Sequence, residues 1–226
     1  MDHNADRRPV MSRETNKAIR RYAKMYRNTL IRENFPETKE KENQYCSRLR
    51  EMYDSHAFKE HNRYPSTDAV LVYAVIAMCL ELRSFGLSNE EIIRFTEIMF
   101  QERRSFFDHL IHMIDLLPNS FAIVRLWNIN DHAKRVKDGS ITYDYFRAAD
   151  SDIEYRISKC MYVEMFRYYG IRELCKIFCN TDIRAYTGLT WHVQFIRHSD
   201  LSSGECCWDE IHRKQRRTRS ESEEIG

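Results

Sequence analysis

Glycine and proline are scarce, six and four among 226 residues, and that scarcity excludes whole classes of function. No GxGxxG or P-loop arrangement is present, so the common nucleotide-dependent enzymes are not expected; each needs glycine where backbone approaches phosphate. No GxSxG elbow occurs either, which argues against the usual serine hydrolases. The longest apolar run is Ala69 to Leu80, twelve residues, against the ~20 that a membrane span needs; it reads as a buried helix. The opening MDHNADRRPVMSRE lacks the apolar stretch of a signal peptide, so none is expected. Charge of one sign is missing too. With 36 basic and 34 acidic residues the net charge is +2, so neither nucleic acid nor membrane is an expected partner. The basic N-terminal helix and the KQRRTR tail are diluted by Glu14, Glu33, Glu221, Glu223 and Glu224 and read as solvated surface. Seven cysteines are an odd number without the spacing of a disulfide framework, which points to a reducing cytoplasm.

What is present is 42% hydrophobic and 12% aromatic residues, enough for a folded core. Helical periodicity dominates the first half. Ser12 caps a helix with Ile19, Tyr22, Tyr26 and Leu30 on one face, ended by Pro36. A charged helix is expected from about Glu37 to His61, then an apolar one from Ser66 or Thr67 to Leu82, ended by Gly86. Ser88-Asn-Glu-Glu91 is a capping box for a helix running to about Leu116. Ser120 begins another, with Phe121, Val124 and Trp127 facing the core. From Ser140 the period becomes two: Ile141, Tyr143 and Tyr145, then Ile153, Tyr155 and Ile157, alternate with polar residues. Met161–Tyr169 and Ile171–Cys179 read as short helices, and 190–198 and 206–213 as strands. The fold class is α+β: a helical N-terminal layer followed by a small antiparallel sheet with two short helices. The expected organisation is a charged helical segment over 1–64, an α+β domain over 65–213 and a disordered tail over 214–226.

Five of the seven cysteines lie in the last 67 residues. Cys160 closes a strand-like segment, Cys179 stands three residues before Asp182, and Cys206-Cys207 follow the turn at Gly204. Thiols drawn from separate elements point to chemistry, since packing alone rarely needs sulfur in three places. The competing reading is that they are small buried hydrophobes. On 191–198, alternation sets His192, Gln194, Ile196 and His198 on a polar face and Trp191, Val193, Phe195 and Arg197 on a core face. A second, weaker candidate is His109, His112 and Asp115 on one helix face; no HExxH signature accompanies them.

The series Cys160, Tyr169-Gly170, Arg172-Glu173-Leu174, Phe178-Cys179-Asn180-Thr181-Asp182, Phe195-Ile196-Arg197, Gly204 and Cys206-Cys207-Trp208 resembles the L-2-amino-thiazoline-4-carboxylic acid hydrolase family. The resemblance covers about 140–213 and, more loosely, the helices from about residue 60. The family's Cys-Asp-aromatic ending is altered: aligned on the aromatic, Cys207 stands at the Asp position; aligned on Cys207, Asp209 comes one place late. His198 stands where Thr is expected. The resemblance implies a hydrolase that opens an aminothiazoline carboxylate to a carbamoyl-cysteine. The alternative is a non-catalytic small-molecule-binding or sensing domain related to that family.

The residue types suit such a reaction. The ring C2 is an amidine-like electrophile, open to water activated by a carboxylate such as Asp182, or to a thiolate from Cys160 or Cys179. Arg197 can fork onto a substrate carboxylate, the competing reading being a surface salt bridge. The site expected is therefore Cys160, Cys179, Asp182, Cys206 and Cys207 for catalysis, with Arg197 and Trp208 for substrate. No cofactor is required, although thiolates with Asp182 or a histidine offer ligands to zinc or another divalent metal. The expected partner is a small molecule, and a homo-oligomer is compatible with the sequence.

Overall fold

The computed structural model describes residues 13–54 and 66–214; the Ser12 cap, the end of the charged helix and the tail after Lys214 lie outside them. The described residues form two compact units that interleave along the chain. One comprises residues up to Glu102 with Asp138–Ser140 and Met161–Cys175, the other Arg103–Lys137, Ile141–Cys160 and the residues from Lys176 onward. The fold is α+β.

The first unit is helical: α1 (Arg13–Arg32), α2 (Thr38–Asp54), α3 (Ser66–Ser84), α4 (Asn89–Met99) and, later in the chain, α7 (Met161–Tyr168). Ile19, Tyr22, Tyr26 and Leu30 are all buried, so the apolar face read from their spacing is the packed one. Tyr26 stacks on Tyr45 at 4.6 Å, and Tyr45 donates to the Ala74 carbonyl at 3.2 Å, so a buried phenol keeps its partner. The capping box forms as expected: Glu91 N–H donates to Ser88 Oγ at 3.3 Å and Ser88 N–H to Glu91 Oε2 at 2.8 Å. After α7 the chain turns at Gly170, whose φ of 66° suits glycine, and Ile171 N–H reaches back to Phe166 O at 2.8 Å.

The second unit holds α5 (Gln101–Asp115, whose first two residues belong to the first unit), α6 (Ser120–Asp138, whose last residue does too) and α8 (Cys175–Thr187, likewise beginning in the first). With them is a four-stranded antiparallel sheet in the order β1-β2-β4-β3. Its strands are β1 (Ile141–Ala148), β2 (Asp152–Cys160), β3 (Val193–Ser199) and β4 (Cys207–Arg213).

Four boundaries differ from the sequence reading. The helix expected from Ser88 to Leu116 is two, because Phe100 leaves helical geometry (φ −96°, ψ 2°) and ends α4. The helix expected to stop at Cys179 instead starts at Cys175, after a 3-10 turn at Arg172–Leu174, and runs to Thr187. Asn180, Thr181 and Asp182 are weak helix formers, but Thr181 Oγ1 bonds back to Phe178 O at 2.6 Å, and Ala185 and Tyr186 are buried. Strand β3 begins at Val193 because the N–H groups of Thr190 and Trp191 are taken by the Asp115 carboxylate, at 3.0 and 3.1 Å. In β1, irregular pairing at Thr142–Tyr145 breaks the alternation, so Phe146 stands opposite Tyr155 while Tyr145 is exposed. Trp127, expected in the core, is partly exposed, with Phe107 edge-on to its ring at 6.0 Å.

Candidate functional site

The strand register builds the site. Tyr155 on β2 pairs with Asp209 on β4, and Asp209 with Arg197 on β3, so three polar residues form one row across the sheet. The row lies on the face of buried Ile153, Ile157, Ile211 and Val193, which we call the inner face. Arg197 binds Asp209 through a fork, Nε to Oδ1 and Nη2 to Oδ2, both at 2.8 Å. Its Nη1 donates to the Cys179 carbonyl at 2.7 Å. Asp209 is 1% and Arg197 11% exposed at the side chain. Burial works against the Arg197 cation, but its bonds to Asp209 outweigh that and hold it above the ordinary arginine range. The Tyr155 hydroxyl also bonds Asp209, and its pKa is raised well above normal, chiefly by burial and then by nearby tyrosine and aspartate.

Asp182, on α8, reaches this row: its Oδ2 is 3.6 Å from Arg197 Nη2. The crowding of protein atoms around it raises its pKa to about 6; Arg197 opposes this, and Asp209 and Asp131 on α6 add to it. Yet 59% of the side chain meets water. Asp182 is therefore open to water rather than sealed in the core, and solvent moderates the rise. Around it, Tyr186 stacks on Phe195 at 4.8 Å and donates to Asn128 Oδ1 at 3.1 Å. His132 stacks on Phe146 at 3.9 Å, and its pKa is lowered by burial. Burial also raises the pKa of Tyr143, with smaller contributions from Asp131, Cys160 and Asp182.

None of the seven cysteines is in a disulfide. Cys160 ends β2, at the strand-to-helix junction expected, close enough to Cys207 and Tyr143 for its charge to act on both. Burial pushes the Cys207 thiol up to about 12, and Leu201 N–H donates to its sulfur at 3.4 Å. Cys206 lies just before β4, its sulfur 3.5 Å from Ser199 Oγ. Cys179 shares a helix turn with Asp182 and gives its carbonyl to Arg197. Among the described residues, no group of three or more His, Cys, Asp or Glu is placed to hold a metal ion.

Trp208 points the other way. On the outer face it stacks with His198 at 4.0 Å, lies under the Arg156 guanidinium at 4.5 Å and donates to Glu154 at 3.2 Å. Glu210 accepts from His198 at 3.1 Å and His212 at 2.8 Å beside it. Arg197 and Trp208 thus serve opposite faces. The second histidine candidate is also divided. Asp115 is buried, holding the backbone of Thr190 and Trp191 just before β3, while His109 sits exposed with Nδ1 2.7 Å from its own helix's Ser105 carbonyl. His112 lines a separate cavity of about 360 Å³ with Asp108, Arg184 and Gly188.

Asp209, Tyr155, Asp131 and His132 were not among the residues singled out from sequence. A signal existed for Asp209: it shares strand parity with Cys207 and Ile211, and an arginine on the core face of β3 needs a buried acid opposite.

The family described as L-2-amino-thiazoline-4-carboxylic acid hydrolase matches this chain over residues 74–209, more than half its length. No curated protein matches the chain. Among the described residues, no helix is long and apolar enough to cross a membrane.

Proposed function

Because the chain belongs to the L-2-amino-thiazoline-4-carboxylic acid hydrolase family, we propose that it opens a 2-aminothiazoline-4-carboxylate-like ring by hydrolysis on the inner face of its sheet. The observation that carries this reading is Asp182, a water-reachable carboxyl beside a desolvated acid–arginine pair, with a pKa raised to about 6. A base of that strength is ionised at neutral pH, yet basic enough to take a proton from water.

In the proposed reaction, Asp182 accepts a proton as the water oxygen bonds to C2. As the C2=N bond becomes single, the ring nitrogen takes that proton back from Asp182; the tetrahedral adduct then collapses to a carbonyl with cleavage of the C2–S bond, and its hydroxyl proton passes to sulfur. One water is consumed; the product carries a free thiol and a carbamoyl group on the former ring nitrogen. Cys207, with its pKa pushed up to about 12, stays a thiol, which favours activated water over this sulfur as the nucleophile. Arg197 spends three of its five N–H donors on Asp209 and the Cys179 carbonyl. In this reading its remaining Nη hydrogens meet the substrate carboxylate, and its charge keeps Asp182 from rising further. Seven cysteines, none in a disulfide, suit a reducing compartment, and we assign the protein to the cytoplasm.

The test is incubation of the purified chain with 2-aminothiazoline-4-carboxylate, reading new thiol colorimetrically and carbamoyl-cysteine by mass spectrometry. Turnover without added cofactor is expected. Calorimetric binding without turnover would instead make the domain a binding module, and neither binding nor turnover would remove this substrate class.

A further inference from the structure

Helix α5 is apolar on two sides. One is used inside its own unit, where Ile111 is buried and Phe107 packs on Trp127. The other carries Phe106, Leu110 and Met113, and the stripe continues to Leu117 in the following turn, whose N–H still bonds Ile114 O at 3.0 Å. These four side chains are 74, 43, 66 and 42% exposed. A single exposed leucine is ordinary, but this is a continuous patch of roughly 500 Å², at the upper end of what monomers show. We propose that a second copy of this chain covers it, giving a two-fold dimer through an antiparallel α5–α5 seam.

Two observations name that occupant. First, the spacing 106, 110, 113, 117 is four, three, four: a heptad seam of the kind that packs on another helix. It reads the same in both directions. Two copies laid antiparallel about an axis between Leu110 and Met113 set Phe106 against Leu117 and Leu110 against Met113, as an isologous contact requires. The pair buries about 1,000 Å², the threshold for a specific interface. Second, the segments outside the described residues offer little to cover the stripe. The last twelve, QRRTRSESEEIG, hold one large apolar residue, Ile225. The first twelve and residues 55–65 scatter a few apolar side chains among charged and histidine ones.

The inference does not depend on the proposed reaction, and sedimentation equilibrium of the full chain over a concentration series tests it. The expected wild-type mass is twice 27.3 kDa. Phe106→Asp and Met113→Lys, both at exposed positions, return it to 27.3 kDa with unchanged circular dichroism and Tm. A wild type monomeric at every concentration, or a dimer that survives both substitutions, overturns the proposal. In a Leu110→Cys/Met113→Cys double variant, mild oxidation should link residue 110 of one chain to residue 113 of another. A dimer lacking that cross-link overturns the antiparallel register.

Discussion

On the inner face of the sheet, Asp209 and Arg197 oppose each other across β4 and β3, almost wholly shut from water. One residue further along β4, on the outer face, Glu210 bonds His198 and His212 with all three side chains partly exposed. The residue types are similar and the strands are the same, but the physics differs. Inside, each charge depends on its partner, because an unpaired buried ion is costly; the pair then biases every titrating group near it. Outside, water and salt take over much of the task, and such pairs contribute little. The inner face can therefore tune a carboxyl such as Asp182, and the outer face cannot do so to the same degree.

The largest expected effect comes from breaking the inner pair. Asp209→Ala strands Arg197 in the interior and should lower unfolding stability by about 3–5 kcal/mol, measured by urea denaturation. Next is Asp182→Asn, which should reduce ring opening by about 10²–10⁴-fold, the usual contribution of a general base. Its stability effect runs the other way. The native Asp182 pKa lies above its ordinary 3.8, near 6, so the folded state holds more proton across that window and loses stability as pH rises through it. Asp182→Asn should thus leave Tm at neutral pH unchanged or slightly raised, a pairing of lost activity with kept stability that a purely structural role would not give.

Cys207 sharpens the contrast from the sulfur side. With its pKa pushed up to about 12, its alkylation by iodoacetamide in the native protein at neutral pH should be slow, and Cys207→Ala should keep most turnover; rapid labelling would restore it as a candidate nucleophile. The smallest effect is expected outside: Glu210→Gln should cost under about 1 kcal/mol. Hydrogen bonds from His212 and His198 hold the Glu210 pKa below 4.5, so that small contribution is present above pH 4.5 and lost as pH falls through the native pKa. A larger loss would mean the outer network is as structural as the inner one.

Much of the fold was legible because its signals are local. The Ile19–Tyr22–Tyr26–Leu30 face and the Ser88 box each follow from a few neighbouring residues, and each is present. Alternation put Arg197 on the face of Val193 and Phe195, and it lies there, although Trp191, expected on the same face, is 71% exposed. The rest depended on tertiary structure. Cys179 was expected to end a helix, and the residues after it are weak helix formers, yet packing of Ala185 and Tyr186 carries α8 onward. Asp209 became visible only once the register set it between Tyr155 and Arg197. Trp208, next to it, was expected beside Arg197 at the substrate because the family's pattern places an aromatic after the cysteine, although adjacent strand residues face opposite ways.

The most direct test of the central claim is a pH–rate profile for ring opening by wild type and Asp182→Asn. The account predicts a wild-type acid limb with an apparent pKa near 6, activity rising with pH as Asp182 ionises, and loss of that limb with most of the rate in Asp182→Asn. A variant that keeps both the rate and the limb would contradict it and move the base elsewhere on the inner face.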